Sequence, residues 1–373
     1  MRAFEFLIEA LAAPAPKKVG REFNHLEDLV FTEPNGGARA VQILKNISQD
    51  AKDISVKWDG APTVLWGREP DGQFRLVGKN NWGREEGKSS SPEELQQFIL
   101  SRGKGEDWRE KFAGDMAALW PLFEKATPRN FRGYVYADIL FHPGKPAQPQ
   151  SSGLTFTPNQ TTYTVNTASN IGKLMSKAEV AVAAHFILEN FGDPLTSGEP
   201  VTDTQMFNSS AVFVTGQNYV SHQPEVNADN LTQIESAVSK HSKRIDQFLA
   251  PQAGLSDLQN IIYTYVNQRS KAKALDSLSS KDFFNWLSTS KVSAPKQKKI
   301  SDLNQQQGNV LESLLYLVSE LMKAKNEVIR ELDQAEGDIV ANTNGQPGGE
   351  GYIKTADAVK LVPRDRWTPF RTD

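Results

Sequence analysis

The chain contains no cysteine in 373 residues, which excludes disulfides, thiolate-bound zinc and a cysteine nucleophile. A reducing cytoplasm suits such a chain. It has no run of about 18 apolar residues, so no segment is expected to cross a membrane and no membrane partner is expected. It also has little net charge, with 42 Lys and Arg against 45 Asp and Glu. No global field draws it to a polyanion, so any contact with nucleic acid has to be local. Met1–Leu11 has the apolar look of a leader, yet Glu5 and Glu9 interrupt it and its apolar residues recur at helical spacing, which predicts a short amphipathic helix. Ala12–Lys18, with its two prolines, reads as the linker that closes an N-terminal segment 1–19. A chain of this length buries one large core or two smaller ones, and two lobes are expected.

What the chain does have is Val56-Lys57-Trp58-Asp59-Gly60, a lysine ahead of a tight Asp-Gly turn, with strand-like segments at 53–56 and 63–66 on either side. Glycine in that turn lets the backbone approach a ligand closely. A lysine placed so is a candidate nucleophile, provided that its surroundings disfavour the ammonium form. Gln73–Gly78 alternates like a strand and ends at Lys79. Ser91-Pro92 starts a helix. Gly133–Phe141 is a strongly apolar strand with Asp138 inside it, and a carboxylate there needs a partner or a metal. Ala178–Ile187 and Ala211–Val214 read as further strands, with His185 taken as structural. Near the far end, Asn342–Gly349 reads as a flexible loop leading to Glu350-Gly351-Tyr352-Ile353-Lys354 and then to Val359-Lys360-Leu361-Val362.

In kind and order these segments resemble the covalent nucleotidyltransferases, the superfamily of ATP-dependent RNA and DNA ligases and capping enzymes; the closer resemblance is to uncharacterised ligase-like proteins of large tailed bacteriophages. The resemblance covers roughly residues 20–190 and 340–365. It implies an α+β fold with a nucleotidyltransferase core of antiparallel sheets and helices, and an enzyme that forms a lysyl-adenylate at Lys57. It further implies nucleotide contacts from Asp59, Gly60, Lys79, Asp138, Lys354 and Lys360, with Glu350 and Asp138 holding Mg2+ or Mn2+ beside ATP. The acceptor would be nucleic acid, RNA ends or nicks first and DNA second. The family's last motif carries a second lysine that is missing after Lys360, and Arg364 is its possible stand-in. That departure leaves open an inert nucleotide-binding scaffold or virion protein of the same fold.

The phage proteins also carry a segment like His25-Leu26-Glu27-Asp28. Two readings stand for it, a lining of the purine pocket or an ordinary strand-turn-helix with a surface histidine. From 226 to 336 the apolar period changes to 3.6, with Leu311, Leu314, Leu315, Val318, Leu321 and Met322 on one face, which predicts an all-helical insertion in a core of 20–225 and 337–373. Its basic clusters, among them Lys296, Lys298 and Lys299, are candidates for tracking a phosphate backbone or are solvated faces.

Overall fold

The computed structural model describes residues 23–364 apart from 104–106, 202, 252–254 and 336. The amphipathic helix and linker expected in the first 19 residues lie outside the described residues. The fold is α+β, and the chain divides into two units. One holds 59–159 and 165–216; the other holds 23–58, 160–164 and 217 onward.

The first unit is built on a sheet in the order Glu199–Pro200, Val180–Leu188, Gly133–Phe141, Thr63–Arg68, Phe74–Gly78, with Val212–Thr215 added in parallel to Val180–Leu188. Its long strands pair antiparallel, with Thr63 opposite Asp138 and Leu65 opposite Tyr136. Alternation sends Val64, Trp66, Val135, Ala137, Val180 and Val182 to one face, where the helices Pro92–Ser101 and Asp107–Ala126 cover them. The first of these helices starts as expected, with Ser91 Oγ accepting from the Glu94 amide at 3.2 Å and Pro92 in the first turn. A bulge between Tyr136 and Ala137 changes the parity of the partner strand, so that Phe186 stands opposite Tyr136 and Ala184 opposite Ala137.

The second unit joins a small sheet to helices. Its strands run in the order Asn24–His25, Val359–Leu361, Tyr352–Lys354, Ile54–Val56; the first pair is parallel and the others antiparallel. Ile54, Tyr352, Val359 and Leu361 face a core built from the helices Gly36–Gln49, Ala228–Leu249, Leu258–Lys271 and Val310–Gln334. Burying each large aliphatic side chain there contributes about 1.5–3 kcal/mol. The helices expected between 226 and 336 are present, but they share this core with Leu29, Phe31, Leu44 and Ile47 and are not set off as an insertion. The division of the structure therefore falls at 58/59 and 216/217, not at 225/226 and 336/337. The expected loop at 342–349 is a hairpin: Ile339–Thr343 pairs with Gln346–Pro347 across Asn344-Gly345, both at positive φ.

Candidate functional site

Lys57 follows the strand Ile54–Val56 and extends its ladder, its amide donating to the Gly351 carbonyl at 2.9 Å. That contact lays Glu350 beside it, and the Lys57 ammonium and the Glu350 carboxylate form an ion pair. Gly351 has φ +127°, and a Cβ there would overlap the Leu361 carbonyl, so the turn requires glycine. On the neighbouring strand Ile353 is registered with both Ser55 and Lys360. Period-two alternation then puts Ser55, Lys57, Ile353 and Lys360 on one face. The Lys360 ammonium makes no hydrogen bond or ion pair to any described residue. Burial holds its pKa below the ordinary lysine value, helped by the Lys57 and Arg364 cations and opposed by Asp28 and Glu350.

Lys354 is not brought to this group. It is registered with Ile54 and Val359, which point into the helical core, so it stands on the opposite face from Lys360. Its ammonium is buried and paired with Asp53 and, at 3.4 Å, with Asp357. Two lysines on adjacent strands converge only when their register gives them the same parity, and here it does not.

Behind Lys360 lies a charged cluster of which the sequence reading caught only parts. His25 is registered with Lys360 on the parallel strand, and a turn at Leu26–Asp28 carries Glu27 and Asp28 inward. Glu27 Oε1 accepts from Lys325 Nζ at 2.8 Å and from Arg364 Nε at 2.7 Å; Lys325 also donates to the Val362 carbonyl at 2.8 Å. Arg364 reaches Asp28 and Asn267 as well. Burial alone would raise Glu27, but Lys325 and Arg364 outweigh it and hold the carboxyl far below the usual range. Asp28 is pushed up to about 6, by burial and by Glu27, against the opposing pull of Arg364. His25 is held well below the usual imidazole value by burial, so it is neutral, and its Nδ1 has no hydrogen-bond partner among the described residues. Arg364 is thus committed to buried carboxylates and does not stand in for a second phosphate-binding lysine. A sequence signal for this cluster existed: Lys325 falls on the apolar face of its helix, between Met322 and Val328, where a charge needs a buried partner.

The remaining candidates belong to the first unit. Asp59 is buried and its Oδ1 accepts from Asn159 Nδ2 at 2.9 Å. Gly60 packs on Asp138, where a Cβ would come within 2.5 Å of the aspartate Cβ. Asp138 bonds to the Thr63 hydroxyl through Oδ1 and lies 2.9 Å from His185 Nε2 through Oδ2. His185, read from the sequence as outside the chemistry, lies two residues beyond Ala183, the residue registered with Asp138, and so reaches Asp138 on the same face. Lys79 is exposed, with Nζ 5.8 Å from the centre of the Tyr136 ring. Among the described residues no group of three or more His, Asp or Glu side chains is arranged to hold a metal ion. Two of the basic side chains singled out in the helices carry their own counter-ions, Lys296 with Asp257 at 2.6 Å and Lys298 with Asp302 at 2.7 Å. No helix among the described residues is long and apolar enough to cross a membrane.

Fold and site together define an α+β protein in which two lysines lie on one face of a small sheet, with a glutamate ion-paired to the first of them. The chain belongs to DUF6267, a family of unknown function whose model matches residues 21–86 and 104–369. No curated protein and no solved structure matches it.

Proposed function

We propose that this chain is a covalent nucleotidyltransferase that takes AMP from ATP onto Lys57 and acts as an ATP-dependent polynucleotide ligase, with RNA ends or nicks as first acceptor and DNA as second. One observation carries the reading: the half-buried Lys360 ammonium makes no ion pair with any described residue and lies on the sheet face that Lys57 extends. A buried charge left unpaired is costly unless a ligand completes it, and here the missing charge is negative. A nucleotide phosphate supplies it.

In the reaction the unprotonated Lys57 Nζ attacks the α-phosphorus of ATP. The phosphorus–nitrogen bond forms as the bond to the bridging oxygen breaks, pyrophosphate leaves with the electron pair, and the amine proton passes to solvent. Lys360 offsets the charge that develops on the phosphate oxygens. Magnesium, when bound, would offset the remaining phosphate charge, and Glu350 is the carboxylate beside Lys57 suited to hold it, since this ion takes one or two carboxylates together with phosphates and water. Manganese accepts the same oxygen ligands. Asp138 is bonded to Thr63 and His185 in the other unit, and we leave the ion to Glu350.

The test is incubation with α-labelled ATP and magnesium, denaturing electrophoresis and mass mapping of the adduct. Label on Lys57 is the expected result. A wild-type protein that stays unlabelled across pH and metals, with GTP and NAD also tried, overturns it. A second reading, a nucleotide-binding scaffold or virion component without a polynucleotide acceptor, is favoured by the self-paired Lys296 and Lys298 and by the commitment of Arg364 to Glu27 and Asp28. A protein that labels on Lys57 but binds neither RNA nor DNA in a salt-dependent way supports that second reading.

A further inference from the structure

The small sheet that carries Lys57 has an edge segment beyond its four strands. Residues 218–220 run antiparallel beside Ile54–Val56. The Val56 amide donates to the Asn218 carbonyl and the Val220 amide to the Ile54 carbonyl, both at 2.9 Å, and Tyr219 stands opposite Ser55. Val220 packs on the helical core together with Ile54 and Val56, so alternation turns Tyr219 to the other face, the one that Lys57 extends and that holds Ile353 and Lys360. Tyr219 is 56 % exposed, and no ring or cation among the described residues packs on it. Its hydroxyl is already engaged, donating to Gln217 Oε1, and Gln217 Nε2 donates to Thr355 Oγ1 at 2.9 Å. Thr355 follows the strand on the far side of Ile54–Val56, so this chain of bonds crosses that strand at Ser55, which is buried. The ring is tethered at its tip while more than half of the residue stays open.

We propose that Tyr219 is the stacking platform for the first base of a single-stranded nucleic-acid end whose terminal phosphate lies at the lysines of the same sheet face. One strand spacing across and two residues along separate it from Lys57, so the two Cα atoms are about 8 Å apart, a span that one nucleotide bridges. An exposed aromatic ring beside cations on a sheet face is how single strands are held without a choice of base: the base stacks and the phosphates meet the cations. The charges are complementary, since Lys360 makes no ion pair with any described residue and Lys57 shares its charge with Glu350 alone. Position favours a polymer end over a free nucleotide. No described strand pairs with the outer side of 218–220, where Gln217 and Tyr219 are both exposed, so the chain beyond the first base leaves past that edge. The purpose of the platform rests on reading Lys57 as the residue that takes up AMP, but its test needs no turnover.

The experiment measures binding of a short single-stranded RNA with a terminal phosphate, and of its DNA counterpart, to the full chain by fluorescence anisotropy. One base at a time is removed from the strand to leave an abasic sugar. With the wild type, removing the first base should weaken binding about tenfold, the loss of one base–aromatic stack. Tyr219→Ala should weaken binding of the intact strand by the same factor, and removing the first base should then cost nothing further. Tyr219→Phe keeps the ring and loses only the bond to Gln217, so it should restore wild-type binding and the wild-type response to the abasic sugar. A Tyr219→Ala protein that still loses tenfold with the first base overturns the proposal. So does a Tyr219→Phe protein that binds as Tyr219→Ala does, and so does a wild type that binds neither strand. A Tyr219→Ala protein whose affinity for ATP falls, with no coupling to the first base of the strand, gives the ring to the mononucleotide and overturns the proposal as well. Coupling as expected in a protein that never labels with AMP supports the platform while removing adenylyl transfer as its purpose.

Discussion

Three lysines that look alike in the sequence have three different surroundings, and their substitutions should separate accordingly. Lys57→Ala should abolish labelling, because no other group forms the phosphoramide bond. Lys57→Arg should fail too, since a guanidinium stays protonated and cannot attack. Either change should alter stability by less than about 1 kcal/mol, as a partly exposed ion pair contributes little. Lys360→Ala should lower the labelling rate on the order of a hundredfold, the usual loss when one preorganised charge contact is removed. Lys354→Ala should leave labelling within about threefold. It should instead cost about 1–2 kcal/mol in urea unfolding, because Asp53 and Asp357 lose a charged hydrogen-bond donor. A Lys354→Ala protein that folds normally but loses labelling would return this lysine to the phosphate.

At the scale of the element, the decisive feature is the turn that lays Glu350 beside Lys57. Gly351→Ala forces a side chain onto the Leu361 carbonyl at φ +127° and should cost about 2–4 kcal/mol, with a parallel loss of labelling. Gly345, in the Asn-Gly hairpin turn, also has positive φ, but its Cβ position is open. Gly345→Ala should therefore cost only about 1 kcal/mol and leave labelling intact. Thermal unfolding and labelling on the same samples check both. The strands at 54–56, 63–68, 74–78 and 133–141 were readable because alternation or continuous apolarity marks them. The hairpin at 339–347 reads as a loop because of its glycines, although Asn344-Gly345 is the kind of turn that joins two strands. The bulge that leaves His185 without a registered partner was not readable. A bulge is defined by what lies across the ladder, and one strand does not contain that information.

For the whole molecule, the buried cluster ties stability to pH in two opposed ways. Glu27 is depressed in the folded state, so its contribution is present at neutral pH and is lost as pH falls through its folded value. Asp28 is raised to about 6, so the folded state holds its proton more tightly than the unfolded chain does. Its contribution therefore declines as pH rises from about 4, the unfolded value, to about 6, and the loss is complete above that. Urea unfolding of the wild type and Asp28→Asn across this window should show the variant gaining relative to the wild type as pH rises, by a few kcal/mol at most. A parallel pair of curves would place the titration elsewhere.

The sequence by itself determined the α+β character, most strands and helices, and the candidate nucleophile, because these depend on local periodicity and on one lysine before an Asp-Gly turn. It also set Glu350 and Lys360 among the candidates, though by resemblance and not by geometry. Only the tertiary structure decided which candidates meet. Register put Lys360 on the sheet face that Lys57 extends and turned Lys354 to the other face. Packing of the long helix brought Lys325, nearly three hundred residues away in the chain, onto Glu27 and drew Arg364 into the same cluster. Helical residues expected to form a separate insertion became part of the core that carries the lysine strands. The physical reason is common to all of these: parity, register and charge compensation are relations between segments distant in the chain, and a buried charge finds its partner only when the elements that carry both have packed.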